Sequence, residues 1–301
     1  MNKYLFFRTD RQGDFLITAI LVNSIKRNNP NAIIHVVSSI KNYDYIKSFN
    51  FIDEVFLFKK GLLDRIKLIN NLKKNKYQNI IIHDAKKRSK IIAFFLNKEK
   101  TFITDVSANI SYIDDIKRML NLLNYNFDLS DLNILNNRAL KETNIDHQIK
   151  YLKDTFILFH FDEKWIYNDY ISKYTNIEPT ESELSSFFSS IISKTKHNLV
   201  ITTGIKSPDI LNKIFSSNVN SKIFFYDNLS FLDIEKIVVK SHLLISCHGA
   251  ISHIAAAKKI KIIDIIDPSY DYSKWTAHFR DYFPVNRKKF SELSKQITKL
   301  L

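Results

Sequence analysis

One cysteine, Cys247, and four glycines are all that 301 residues hold of these two types. A lone thiol excludes an internal disulfide and any multi-cysteine zinc site, which fits a reducing compartment. Glycine-rich phosphate cradles are missing too, since neither G-x-G-x-x-G nor G-x-x-x-x-G-K-[ST] occurs. H-E-x-x-H and G-x-S-x-G are also absent. No apolar run reaches the roughly 18 residues that span a bilayer. The opening MNKYLFFRTDRQGD has neither the long apolar stretch nor the small-residue cleavage site of a signal peptide. A cytoplasmic protein is therefore expected, reaching at most the inner face of the cytoplasmic membrane. Helix-turn-helix, RNP-type and zinc-finger patterns do not occur, so no nucleic-acid partner is expected.

What is present in excess is positive charge, with 45 Lys and Arg against 31 Asp and Glu for a formal net charge of +14. Two readings stay open. Lysine, asparagine and isoleucine are abundant throughout, as codon bias in an AT-rich genome would produce. Alternatively, the charge serves an anionic substrate or a membrane surface, which a basic protein approaches faster and holds closer. Hydrophobic residues at 45% make the chain globular, and its length suits two domains of roughly 150 residues.

The first half alternates strands with helices. KYLFFR (3–8), AIIHVVS (32–38), DEVFLF (53–58), NIIIHD (79–84) and TFIT (101–104) read as strands. FLITAILVNSIKRN (15–28), DRIKLINNLKKNK (64–76) and KRSKIIAFFLN (87–97) read as helices. A polar, asparagine-rich stretch over 127–150 reads as a linker. The pattern then restarts with strands at 155–161, 198–204, 222–227, 242–247 and 261–267. Helices are predicted at 182–195, 208–217, 232–241 and 290–301. Alternation with short connections predicts parallel sheets covered on both faces, hence two doubly wound α/β halves. Such sheets bind ligands at the carboxyl ends of their strands, so a ligand between the halves is expected.

Two stretches stand where a strand should meet its helix. In RTDRQGDF, Gly13 is expected to turn the backbone tightly, with Asp14 at the mouth of the next helix, either as a simple N-cap or as a reactive carboxylate. HGAISHIAAA (248–257) places Gly249 and the small Ala250 at the start of a helix whose free N–H groups would seat a diphosphate. His253 lies one turn further in, and the alanines 255–257 are expected to pack that helix on the sheet. His248 and His253 find no carboxylate or thiolate to complete a metal site, so no metal is expected. Lys86, Lys87 and Arg88 follow the fourth strand; they either grip an anionic acceptor or form a solvated helix start.

These residues resemble the glycosyltransferase family 9 enzymes, the lipopolysaccharide heptosyltransferases. Gly13-Asp14 and the apolar helix ending in NNPNAIIHVV are similar to the family's opening G-D-[VL]-x-x-[ST]-x-x-[LA]. YQNIIIHDAKKRSKIIAFFL (77–96) is similar to its Y-D-x-V-I-D…R-S-x-x-x-A segment. HGAISHIAAAKKIKIIDI (248–265) is similar to its D-[ST]-G-x-x-H-x-A-A-A-x-x-x-P region, with His253 on the family histidine. The matches span both halves in order.

The resemblance implies the GT-B architecture, two facing Rossmann-like doubly wound parallel-sheet domains, and inverting, metal-independent glycosyl transfer. Residues 1–140 would bind the acceptor and 151–280 the nucleotide-sugar donor, with 281–301 a tail and helix. Asp14 falls on the catalytic base and His253 on the donor-site histidine. Lys164, in HFDEKWIYND, falls where a lysine meets the donor phosphates. Gly13, Lys86, Lys87 and Arg88 would face an anionic glycan or glycolipid acceptor. No cofactor is implied beyond the nucleoside-diphosphate sugar. The motif departs from the family at four places: His248 stands for the aspartate that contacts the donor sugar, Gly249 for Ser or Thr, Ala250 for Gly, and Lys261 or thereabouts for the usual proline. The sugar therefore need not be the family's heptose. Two rivals remain, a sugar-nucleotide epimerase of the same fold and a non-catalytic sugar-nucleotide-binding module.

Overall fold

The computed structural model describes residues 2–96, 100–105, 110–136, 138, 140–150, 152, 155–216 and 220–301. Positions 97 and 217, at the ends of two predicted helices, lie outside these residues, as does residue 151 at the expected domain start. The chain divides into two compact units, one of Met1–Leu140 with Ser273–His278, the other of Lys141–Tyr272 with Phe279–Leu301.

The first unit runs β1 (Lys3–Arg8), α1 (Gln12–Asn28), β2 (Ile33–Ser38), α2 (Tyr43–Lys47), β3 (Glu54–Leu57), α3 (Leu62–Lys73), β4 (Asn79–Ile82), α4 (Lys87–Phe94), β5 (Lys100–Ile103) and α5 (Tyr112–Leu122). Its sheet has the order β3-β2-β1-β4-β5, and all the pairs are parallel. β1 is central and covered on both faces, which is why it reads as a continuous apolar run. Leu5 and Phe7 of β1 join Ile80 and Ile82 of β4 against Leu68 and Leu72 of α3 and Ile92 of α4.

The second unit holds α6 (Asn144–Lys150), β6 (Phe156–His160), α7 (Glu181–Thr195), β7 (Asn198–Thr202), α8 (Asp209–Ser216), β8 (Ile223–Tyr226) and α9 (Phe231–Val238). It continues with β9 (Leu243–Cys247), α10 (Ala250–Ala257) and β10 (Lys261–Ile266). After α11 (Ser273–Thr276), which belongs to the first unit, β11 (Tyr282–Asn286) and α12 (Phe290–Leu300) complete it. The sheet order is β11-β10-β9-β6-β7-β8, again parallel. Residues 281–301, expected as a tail and helix, form the helix α12 and also supply the edge strand β11 and the core residues Val285, Phe290, Leu293 and Ile297.

The predicted linker 127–150 holds regular structure at Leu129–Leu132 and Asn144–Lys150. A 3-10 turn at Leu129–Leu132 is held to α1 because Arg27 donates to both oxygens of the buried Asp131, at 2.7 and 3.1 Å. Asp128 caps this turn by accepting from the Ser130 N–H at 2.7 Å, and Asp131 is the ion partner of Arg27.

Each order reverses at one place, between β1 and β4 in the first sheet and between β6 and β9 in the second. At such a switch the loops leaving neighbouring strands turn to opposite sides and open a crevice above their carboxyl ends. The loops at these two places carry most of the site residues expected from the sequence.

Candidate active site

In the second unit, the loop after β6 is pinned from below. Trp165 is fully buried, stacks on Phe161 at 5.4 Å and donates its indole N–H to the His160 carbonyl at 2.9 Å. That anchor fixes the short segment between, which carries Asp162 and Lys164. The Lys164 backbone N–H donates to Asp162 Oδ1 at 3.1 Å, and its ammonium lies on Asp162 Oδ2. Burial pulls the Lys164 ammonium down, but the Asp162 carboxylate more than reverses this, so the net shift is upward. Burial likewise opposes the Asp162 charge, and Lys164 overcomes it, leaving the carboxyl below its usual range.

His160 lies beneath this pair, with Nδ1 2.9 Å from Thr202 Oγ1. Burial is the largest influence and brings its pKa down to about 4, opposed by Asp162 and reinforced by Lys164. At neutral pH the ring is therefore uncharged, and Lys164 is the cation that holds Asp162 ionised. Because the folded value lies below the ordinary one, the unfolded chain takes up the proton first as pH falls. The stability this gives is complete above about pH 6.5 and is lost as pH drops toward 4, by up to about 3 kcal/mol. Urea unfolding at a series of pH values should show this slope. His160→Gln should flatten it, and an unchanged slope would place the acid sensitivity elsewhere.

Across the switch point, β9 delivers the motif. Gly249 caps α10 in an extended conformation (φ 175°) that any residue adopts, so its need for glycine is one of space. A Cβ there would meet Lys164 Nζ at 3.0 Å and Cε at 3.4 Å. The missing side chain lets Lys164 lie across the start of α10, where the first N–H groups, those of Ala250 and Ile251, have no carbonyl partner within the helix. Lys164 and Gly249 thus come together at the start of the helix that Ala250 opens.

The His248 ring is anchored on one side. Its Nδ1 is 2.6 Å from Oδ2 of Asp264, on β10. A carboxylate can only accept, so Nδ1 carries the proton and Nε2 is the acceptor in the neutral ring. Asp264 is fully buried and also accepts from Ser252 Oγ at 2.8 Å and Tyr282 OH at 3.2 Å. The sequence reading missed Asp264, Ser252 and Asp162. The available signal was an acid inside the apolar strand KIIDII, costly to bury unless fully bonded. His253 is buried with its ring edge-on to Phe279 at 5.1 Å and 5.7 Å from the His248 ring. Of the three alanines only Ala255 is buried. Ile251 and Ile254 do the rest of the packing. Cys247 is buried, which pushes its thiol up, and it accepts a long 3.6 Å bond from Arg287.

In the first unit, Gly13 is inside α1, not in a turn before it, and no glycine there takes a positive φ. The helix starts earlier than its apolar periodicity suggests because Arg11 is the N-cap. Asp14 is the third helical residue, and its Oδ2 accepts from the Arg11 N–H at 3.2 Å. The organiser is Arg8, buried at the end of β1. Its guanidinium donates to the Asp14 carbonyl at 2.6 and 2.8 Å and to the His83 carbonyl at 2.5 Å, tying the β1 and β4 loops. It also stands 3.4 Å from Asp10 Oδ1 and 3.9 Å from Asp14 Oδ1. Burial raises the Asp10 pKa, with Arg8 opposing, so a second carboxylate that the sequence reading passed over faces the same arginine.

The basic trio after β4 divides. Arg88 donates to the Thr9 carbonyl at 2.8 Å and to Thr9 Oγ1 at 2.7 Å, holding the β1 loop. Lys86 reaches the same carbonyl at 3.4 Å and Asp10 at 3.8 Å. Lys87 is exposed. Asp84 completes the knot by accepting from Thr9 Oγ1, Ser89 Oγ and the Lys86 N–H at 2.6, 2.8 and 3.1 Å. Ala85 beside it sits at φ 52°, a conformation that costs a residue with a Cβ about 1–2 kcal/mol. Among the described residues, no group of three His, Cys, Asp or Glu could hold a metal ion.

No protein-family model matches the sequence, and no curated protein matches it. Solved structures do match the fold. A glycosyl transferase family 9 protein from Veillonella parvula is 12% identical, with a TM-score of 0.71 over 99% of this chain and 91% of its own. The E. coli heptosyltransferase WaaC with ADP is 10% identical, with a TM-score of 0.72 over 99% and 98%. UDP-GlcNAc 2-epimerase from Methanocaldococcus jannaschii is 11% identical, with a TM-score of 0.62 over 100% and 92%. At these identities the likeness establishes the fold, two parallel-sheet α/β domains of the GT-B kind.

Proposed function

We propose that the protein is a metal-independent inverting glycosyltransferase. It moves a sugar, heptose or a relative, from a nucleoside-diphosphate donor to a hydroxyl of an anionic cell-surface glycan or lipopolysaccharide-type acceptor. The observation that carries the reading is Lys164 lying across the start of α10, above the switch point of the second sheet. An ammonium and unpaired backbone N–H groups aimed at one place suit a diphosphate. Asp14 takes the acceptor hydroxyl's proton as that oxygen attacks the anomeric carbon. The bond from this carbon to the diphosphate oxygen breaks, and Lys164 with the helix start meets the charge on the leaving group. Arg8 holds the Asp14 backbone in place for this. The fold shared with heptosyltransferases supports a transferase.

The epimerase likeness supports a second reading, in which a donor is converted with no acceptor present. Incubating the protein with a panel of nucleotide sugars, with and without glycan acceptors and in excess EDTA, separates the two. Acceptor-dependent release of nucleoside diphosphate supports transfer. An isomeric nucleotide sugar formed without acceptor supports epimerisation, and activity only after Mg²⁺ or Mn²⁺ is restored would overturn metal independence.

His248 sets the sugar. With Nδ1 committed to Asp264, Nε2 meets a hydroxyl as an acceptor. His248→Ala should weaken sugar-nucleotide binding by the value of one hydrogen bond, about 0.5–1.5 kcal/mol, and leave the free nucleoside diphosphate nearly unaffected. Calorimetric titration of both ligands tests this, and equal weakening would move His248 to the phosphates.

A further inference from the structure

Helices α3 and α4 of the first unit leave a groove of about 570 Å³ between them, floored by Phe58 and walled by Ile66, Ile69, Ile91 and Phe95. The apolar surface does not stop at the groove. Leu62, which also lines the groove, and beyond it Leu63 at the start of α3 and Phe94 at the end of α4 are each 73% exposed. A soluble domain rarely leaves so many large side chains side by side in water without a use for them. Arg65 and Lys87 line the groove, and the Arg65 and Arg88 guanidinium groups lie 5.5 and 5.1 Å from the Phe58 ring. The two segments that bear this patch, residues 59–74 and 86–90, carry ten Lys and Arg against a single acid, Asp64.

We infer that this face docks on an anionic phospholipid bilayer, with an acyl chain in the groove and lipid phosphates on Arg65 and Lys87. The charge chooses the occupant. A second copy would bring the cations at the groove against themselves, since a twofold interface places the same patch on both sides. The cationic border instead complements an anionic surface, where basic residues beside an apolar face add electrostatic attraction to burial. A bilayer suits the patch better than one dissolved lipid, because Leu63 and Phe94 lie outside the groove and an acyl chain there would leave them in water. The inference goes beyond the proposed reaction and does not depend on it.

Vesicle flotation tests it on the whole protein. Vesicles with about 30 mol% phosphatidylglycerol should bind at least about tenfold more tightly than pure phosphatidylcholine, and high salt should reduce the difference. Leu63→Asp with Phe94→Asp should cut binding about tenfold or more, and Arg65→Glu with Lys87→Glu should remove the preference for anionic lipid. All four residues are at the surface, so an unchanged melting temperature should accompany both variants. Equal binding to the two vesicle types, no binding, or binding that survives the apolar variant would overturn the inference. So would a dimer in light scattering that only the apolar variant dissociates.

Discussion

Asp14→Asn should lower the turnover of nucleoside-diphosphate release by about 10² to 10⁴ while the protein melts almost where the parent does. Both halves follow from the position of Asp14. As the third helical residue it accepts the Arg11 N–H through Oδ2, a bond that an asparagine carbonyl can replace. Losing a negative charge at the helix start costs only about 0.3–1 kcal/mol. What asparagine cannot do is take a proton. The Arg8 contacts to the Asp14 backbone carbonyl survive the change, so a loss of rate cannot come from a displaced helix. Asp10→Asn is the companion variant, because Asp10 is the other carboxylate beside Arg8 and burial raises its pKa. Near-parent turnover in Asp14→Asn with a collapse in Asp10→Asn would transfer the base to Asp10. Near-parent turnover in both would end the proposal that either carboxylate is the base.

Lys164→Met should have the largest effect on stability and on ligand binding together. It strands Asp162, which is almost wholly buried. Removing one partner of such a pair costs about 3–5 kcal/mol. The pair's pH dependence has a definite sign. Asp162 titrates below its ordinary value, so its contribution is present above that value and is lost as pH falls through the depressed one. Lys164 titrates above its ordinary value, so its contribution is present below that value and is lost as pH rises through the raised one. The pair therefore stabilises across the neutral range. Lys164→Met with Asp162→Asn should recover most of the stability, as neither residue then leaves a buried charge. Nucleoside-diphosphate affinity should stay about tenfold to a hundredfold weaker in that double variant, the worth of a charge-assisted hydrogen bond. Thermal melting and calorimetric titration measure the two quantities. Affinity that returns with stability would make Lys164 a structural partner of Asp162 and nothing more.

Much of the molecule was legible in order along the chain. Strands predicted at 3–8, 32–38, 53–58, 79–84 and 101–104 all form, as do those of the second half. A strand covered on both faces must be apolar at nearly every position, and its covering helices must repeat every three to four residues. One helix was readable and overlooked. α5 begins with Ser111, whose hydroxyl accepts the Asp114 N–H at 3.2 Å, and buries Ile113, Ile116, Met119 and Leu120 at helical spacing. The early start of α1 was harder, because Arg11 is a poor N-cap by residue type and the reciprocal bond from Asp14 supports it.

By itself the sequence determined that the chain forms parallel α/β units. It also determined that Asp14, Lys164 and Gly249 each follow the end of a strand, since periodicity and strand ends are local properties of the backbone. Only the tertiary structure decided which strand ends are neighbours. In a parallel sheet, strands adjacent in space are separated along the chain by whole crossover connections. Pairing of β6 with β9 set Lys164 over Gly249, and pairing of β1 with β4 bound Arg8 to His83 and Thr9 to Asp84 and Arg88. Pairing of β9 with β10 put Asp264 behind His248. Charges buried at those meetings are stable only with partners that the strand order supplies.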